Sequence, residues 1–164
     1  MEVSPSRTPT DWYTGHVPSV TKEPRICSVA RTLDLVGEKW ALLAIREVFL
    51  GNRRFDEMVR HTGAPRDTLA ARLRTLVNAE ILERRQYSEH PVRFEYFLTE
   101  AGKDLYPVIV TLRQWGDRHL AGEHGPPARF EHSCGATLVA DLVCEACGES
   151  LDRPFSRRVA SESA

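Results

Sequence analysis

Residues 53–63 read Arg53-Arg54-Phe55-Asp56-Glu57-Met58-Val59-Arg60-His61-Thr62-Gly63, and residues 64–79 continue Ala64-Pro65-Arg66-Asp67-Thr68-Leu69-Ala70-Ala71-Arg72-Leu73-Arg74-Thr75-Leu76-Val77-Asn78-Ala79. The first run is a short helix that Asp56 is placed to cap and Gly63 to stop. The second is a longer helix entered through Pro65, which is tolerated where no backbone donor is needed. Then come Ile81-Leu82-Glu83-Arg84-Arg85-Gln86-Tyr87, a polar tip at Ser88-Glu89-His90-Pro91, and a return strand over residues 92–98. Helix, tight turn, helix and basic hairpin make the outline of a winged helix-turn-helix. Such a unit offers a DNA duplex one helix and one β-ribbon, and the major groove admits a helix.

The helix over 65–79 separates into faces when drawn at about 100° per residue. Leu69, Leu73 and Leu76 keep the i, i+4, i+7 spacing of one apolar ridge. Asp67, Ala71, Arg74 and Asn78 fall opposite, flanked by Arg66, Thr68, Ala70 and Arg72. The ridge holds the helix to its domain while small and basic residues look outward. Ala70 and Ala71 let the backbone approach base edges, and their methyl groups match thymine. Arg66, Arg72 and Arg74 are therefore candidates for the major groove, and Thr68 stands beside them. The competing reading is a solvated helix face whose arginines pair with acids, with Arg72 the most structural of the three. Arg93 near the hairpin tip is placed for the minor groove. Alternation along a strand lets only one of Arg84 and Arg85 point at DNA. Lys39, Arg53 and Arg54 are candidate phosphate contacts, which add affinity without sequence information.

Upstream, Ser28 can cap a helix that runs through Leu35 and is closed by Gly37, and Glu38 to Leu50 is a second closed by Gly51, with Trp40, Leu43 and Phe49 as its core stripe, widened by Leu42 and Ile45. Downstream, Thr99-Glu100-Ala101-Gly102 opens a long helix to about Ala121, in which Pro107 either kinks the helix or restarts it. Leu105, Val108, Ile109, Leu112 and Trp115 give this helix more apolar surface than a small domain buries, so a second copy of the chain is its natural cover. Trp115 also suits the floor of a ligand pocket. The expected organisation is a flexible Pro/Ser/Thr-rich arm over 1–25, a winged helix with its dimerisation helix over 26–121, a small cysteine-bearing β module over 128–152, and a polar tail over 153–164. Trp12, Tyr13 and Val17 are the arm residues suited to docking. The fold class is mainly α with a small β wing.

The chain has 164 residues and a net charge of −1, which argues against indiscriminate binding of nucleic acid. The charge is uneven. Residues 52–96 carry nine arginines against seven acids, net +2, whereas residues 97–164 carry seven positive groups against ten acids, net −3. The basic excess sits on the candidate DNA-binding segment and is small, so specific contacts carry more of the binding than a diffuse field. No apolar run approaches the roughly 18 residues that a membrane span needs. The sequence shows no charged leader followed by an apolar stretch, so a cytoplasmic protein is expected. No phosphate-cradling glycine loop and no nucleophile–base signature is present, which argues against an enzyme.

Four cysteines in such a protein point to metal or thiol chemistry before disulfides. Cys134-Gly135 and Cys144-Glu145-Ala146-Cys147-Gly148 look like two facing knuckles. One structural zinc would need a fourth ligand, for which His132 is nearest, although His-x-Cys is one residue short of the usual spacing. A metal-free hairpin and a thiol redox site stay open beside it. Cys27 stands alone before the first helix, either as a small buried apolar residue or as a reactive thiol favoured by the helix N-terminus. His61, His90, His119 and His124 show no metal spacing.

Taken together, Cys27, Gly37-Glu38-Lys39-Trp40, residues 53–58, residues 69–76, the wing with Pro91 and Tyr96, Leu98-Thr99-Glu100-Ala101-Gly102 and Trp115-Gly116 resemble the HxlR family, a MarR-related branch of bacterial winged-helix regulators. The resemblance runs from about Cys27 to Leu120. It implies a homodimeric transcriptional regulator, often a repressor, that binds a pseudo-palindromic operator on double-stranded DNA and answers to a small-molecule effector or chemical stress. It also implies a dimer built on the first and last long helices. Where that family has Ile-Ser before the recognition helix, this chain has Ala64-Pro65, so a side-chain cap is lost at a cost of about 1 kcal/mol. Two rivals remain on the sequence: a thiol-based redox regulator, and a protein-interaction module for which Arg66 and Arg74 are dispensable.

Overall fold

The computed structural model describes residues 27–151; the expected arm, with Trp12, Tyr13 and Val17, and the expected polar tail lie outside the described residues. Six helices and one hairpin follow in order: α1 (Ser28–Val36), α2 (Lys39–Phe49), α3 (Phe55–Thr62), α4 (Arg66–Asn78), β1 (Leu82–Glu89), β2 (Val92–Leu98), α5 (Glu100–Lys103) and α6 (Tyr106–His119). β1 and β2 are antiparallel, with Leu82 opposite Leu98 and Arg84 opposite Tyr96, and the register shifts between Gln86 and Ser88. A single bridge between Arg54 and Glu95 lays the chain before α3 along the outer edge of β2. The fold is a winged helix-turn-helix, helix-rich with a two-stranded wing.

Its core is where α2, α3, α4 and the wing root meet. Leu69, Leu73 and Leu76 are fully buried, as their spacing predicts, and burying each contributes about 1.5–3 kcal/mol. They meet a stripe on α2 that differs from the expected one. Ala41, Ala44, Ile45 and Val48 are buried, while Trp40, Leu42 and Phe49 are only partly so and Leu43 lies outside this core. The i, i+3, i+4, i+7 spacing of the buried set is the stronger helical signal. Its two alanines let α2 and α4 approach closely, as ridge-into-groove packing requires.

Several helix ends also differ from expectation. Cys27, not Ser28, is the N-cap of α1. Gly37 stays right-handed at φ −69°; a side chain there would come within 2.5 Å of the Leu33 carbonyl oxygen, so the reason for glycine is space. Arg54, not Asp56, is the N-cap of α3, and the Glu57 carboxylate accepts from its backbone N–H at 3.3 Å. Asp56 is thereby left for another partner. Pro65 caps α4 with no side-chain hydrogen bond, as the sequence implies. Gly63 ends α3 in the left-handed region at φ 69°, which is what turns the chain between the two helices.

Pro107 restarts the last helix. α5 is a single turn capped by Thr99, whose hydroxyl accepts from the Gly102 N–H at 3.1 Å, and α6 begins at Tyr106 with proline at its second position, where no donor is lost. Gly102 is buried against the wing root, and a Cβ there would overlap the carbonyl oxygen of Ile81. Past α6 the expected β module forms no regular strand. It has two isolated bridges, Glu131 with Thr137 and Val143 with Ser150. It is docked on α6: Arg113 donates to the Leu138 carbonyl at 2.9 Å, the Gln114 amide donates to the Ala140 carbonyl at 2.8 Å and accepts from the Ala140 N–H, and the Arg113 guanidinium lies over Phe130.

Candidate nucleic-acid interface

The buried spine of α4 turns Arg66, Asp67, Arg74 and Asn78 to solvent, with Thr68, Ala70, Ala71 and Arg72 half-buried at the flanks. The three arginines differ in what else they hold. Arg66 donates to Asp56 of α3 at 2.8 Å and lies over the Phe55 ring. The pair is exposed on both sides, so it holds Arg66 in place at little energetic gain. Arg72 is half-buried. Its guanidinium stands 3.9 Å from Glu38, and its Nε is buried without a hydrogen-bond partner, so this side chain packs back onto the start of α2. Arg74 is exposed and makes no hydrogen bond or ion pair among the described residues.

The wing divides its basic residues between two faces. Leu82, Arg84, Phe94, Tyr96 and Leu98 share the face that roots in the core, and Arg84 lies over Phe94. Burial pushes the Tyr96 phenol above its ordinary pKa, and the positive charges of Arg84 and Arg74 pull it back. Arg84 of the wing and Arg74 of α4 thus both act on one half-buried tyrosine. Arg85 is on the other face. It pairs with Glu83 and lies over Phe97, which Arg53 also covers. Arg54 donates to Glu95 at 2.9 Å and lies over Tyr87; the bond to Glu95 is the main reason its pKa is raised. Lys39 sits over the Trp40 ring, and Arg93 is exposed near the hairpin tip. A cleft of about 440 Å³ lies between the wing and the starts of α3 and α4, bordered by Arg66, Arg93, Phe94 and Tyr96.

The structure therefore sets Arg54, Arg66 and Arg93 at the borders of one cleft, brings the charges of Arg74 and Arg84 to bear on Tyr96, and stacks Arg53 and Arg85 on Phe97. The acids that hold Arg66, Arg72 and Arg54, namely Asp56, Glu38 and Glu95, escaped the sequence reading because each lies ten or more residues away. The only local signal was Asp56, which reads equally well as a cap.

The residues expected at the dimer surface do not share one surface. Leu105 and Ile109 turn into the chain's own core. Val108, Leu112 and Trp115 are exposed at 47%, 51% and 54%. Val29 and Leu33 of α1 are also exposed, one turn apart.

The cysteines do not converge on one centre. His132 Nδ1 stands 3.2 Å from the Cys134 sulfur, and Cys144 and Cys147 share one turn closed by the Gly148 N–H on the Cys144 carbonyl at 2.7 Å. Among the described residues no group of three or more His, Cys, Asp or Glu side chains is placed to hold a metal ion. Of the four residues expected to form a tetrahedral set, His132 stands with Cys134 and Cys144 with Cys147 as two pairs. The backbone N–H groups of Cys147 and Ala146, with the Cys147 side chain, lower the Cys144 thiol pKa. Cys27 is half-buried at the start of α1.

The family model of the HxlR-like helix-turn-helix matches residues 35–124. The chain belongs to the HxlR-like family. It is 50% identical over 125 residues to an uncharacterised HTH-type transcriptional regulator of Mycobacterium tuberculosis, covering 76% of this chain and 79% of that protein. An uncharacterised HTH-type regulator of Synechocystis is 36% identical over 60% of this chain and 73% of its own length. Among solved structures, one from Pseudomonas aeruginosa, provisionally designated a transcription factor, is 32% identical at a TM-score of 0.58 and covers 84% of this chain and 95% of its own. The redox regulator HypR in its oxidised form is 33% identical at a TM-score of 0.53, over 57% of this chain and 97% of its own. This HxlR-like chain is thus a transcriptional regulator with a helix-turn-helix fold, not an enzyme. No helix among the described residues is long and apolar enough to cross a membrane.

Proposed function

We propose that the chain works in the bacterial cytoplasm as a homodimeric repressor on a pseudo-palindromic operator. Each α4 enters one major groove, with half-sites about one helical turn apart. The observation that carries this reading is the buried leucine spine of α4, which leaves Arg74 outward and without a hydrogen bond or ion pair among the described residues. Arg74 reads base edges, Arg84 and Arg93 follow the backbone and minor groove, and Arg66 is oriented by Asp56 toward a phosphate. Arg72 supports the helix from its flank. The open faces of α1 and α6, with Leu33, Val108, Leu112 and Trp115, cover one another in the dimer. Selection of bound fragments from random duplexes tests the whole reading; recovery of an inverted repeat supports it, and failure to enrich any sequence removes it.

A thiol switch is the second reading, favoured by the likeness to HypR and by Cys27 at the N-terminus of α1. Operator affinity measured after diamide treatment of wild type and Cys27→Ser tests it. Equal responses of the two proteins remove Cys27 from the switch.

A further inference from the structure

A largely apolar cavity lies away from the outward face of α4. It lies between α2, α6 and the docked C-terminal module, encloses about 450 Å³, and has Leu43, Phe49, Tyr106, Ile109, Phe130 and Leu138 among its walls. That volume is within the roughly 300–1,000 Å³ typical of small-molecule sites. One wall comes from residues 127–138, beyond the end of the matched family segment at residue 124.

Two observations say what it takes. The first is that α6 has two distinct apolar faces. At about 100° per residue, Tyr106, Ile109, Val110, Arg113 and Asp117 gather on the cavity side, Val108 and Trp115 lie on the opposite side, and Leu112 stands between them at the rim of the cavity. A second copy that covers Val108 and Trp115 leaves the cavity open. The second is that every charge in the walls is already spent. Arg46 pairs with Glu47 at 2.6 Å, and Glu47, only 2% exposed, also accepts from Asn52 and contacts His61. Arg113 pairs with Asp117 at 2.9 Å and donates to Leu138. Tyr106, 45% exposed at the mouth of the cavity and beside Phe49 at a ring distance of 5.0 Å, has no hydrogen-bond partner for its hydroxyl among the described residues, which leaves that group open to solvent or to a ligand. An ionic ligand would find no counter-charge, and desolvating it would be costly.

We propose that this cavity binds an uncharged aromatic molecule carrying one hydroxyl or amine, with Tyr106 as its hydrogen-bond partner, and that this molecule is the effector. The effector role rests on the operator reading above; occupancy of the cavity does not. The route to DNA is short. The α2 helix presents Leu43 and Phe49 to the cavity and Ala41, Ala44 and Ile45 to the core that holds the spine of α4. A ligand that packs the module against α2 changes the tilt of α4 only if it binds the two tilts with different affinity.

The test uses the full chain and the neutral fluorophore N-phenyl-1-naphthylamine. Saturable binding at one site per chain is expected. Leu43→Trp, which fills the cavity from a position outside the core, weakens it by about tenfold or more. Phe130→Ala, which removes the module's aromatic wall, does so independently, and thermal melting confirms that both variants fold. Saturating probe shifts the affinity of wild type for its selected duplex by about fivefold or more and leaves that of Leu43→Trp unmoved. Absence of saturable binding, or equal binding by folded wild type and both variants, overturns the site. Binding that leaves duplex affinity unchanged overturns the effector role. Wild type that binds the probe but no duplex overturns the operator reading and leaves the cavity assignment intact.

Discussion

Arg74→Ala is the substitution that the geometry isolates most cleanly. The side chain is exposed on α4 and makes no hydrogen bond or ion pair among the described residues, so truncation breaks nothing in the free protein. Exposed substitutions of this kind change stability by no more than about 0.5 kcal/mol. In the complex, an arginine that reads a base edge is worth about 1–3 kcal/mol. At about 1.4 kcal/mol per tenfold, the dissociation constant should rise by about 5- to 140-fold. The loss should fall on the selected sequence more than on random duplex. A contact to phosphate alone would instead weaken both alike and lower the salt slope by about one. Fluorescence anisotropy on both duplexes, across a salt series, separates the two. Arg66→Ala is the internal comparison: its pairing with Asp56 at 2.8 Å must be shared with DNA, so its loss should cost less. Unchanged affinity of Arg74→Ala for the selected duplex, at the same salt slope, would refute the assignment of this face to DNA.

Three further outcomes follow from the same geometry. Leu73→Ala, at a fully buried point of the spine, should destabilise the fold by about 2–5 kcal/mol in urea unfolding; a loss under about 1 kcal/mol would mean that α4 is not held by that ridge. Val108→Glu, on the open face of α6, should leave the melting temperature nearly unchanged while sedimentation shifts from dimer to monomer; an unchanged dimer places the interface elsewhere. Because N–H groups of its own turn stabilise the Cys144 thiolate, its alkylation by iodoacetamide should persist to lower pH than that of an ordinary thiol. The rate should fall only as the pH drops through the depressed value. A profile with an ordinary thiol midpoint would contradict the turn geometry.

The sequence was informative where one element's own period decides the outcome. Leu69, Leu73 and Leu76 specify the buried side of α4, and the run from Leu82 to Leu98 specifies the wing. On α2 the large residues Trp40, Leu43 and Phe49 drew attention from the buried alanines. Spacing, not size, decided which side faces α4, and the larger side chains went to the cavity side or the core margin. Helix ends were misplaced by one or two residues because Ser28 and Asp56 suit a cap wherever they stand, and tertiary contacts chose otherwise. The candidate interface was legible as a list of arginines and not as a surface. Whether an arginine is paired with Asp56, Glu38 or Glu95, or left unpaired like Arg74, depends on contacts between elements that a single chain read in order does not display. The separation of α6 into cavity and open faces was likewise hidden, since the docked module that distinguishes them follows a linker.

Methylation interference with dimethyl sulfate on the selected operator is the most direct test of the central claim that the outward face of α4 lies in the major groove of both half-sites. The account predicts that methylation of guanine N7 blocks binding in two clusters about 10 base pairs apart, and that Arg74→Ala loses the interference at one position in each. Binding indifferent to N7 methylation throughout the operator, or interference in a single cluster only, would contradict it.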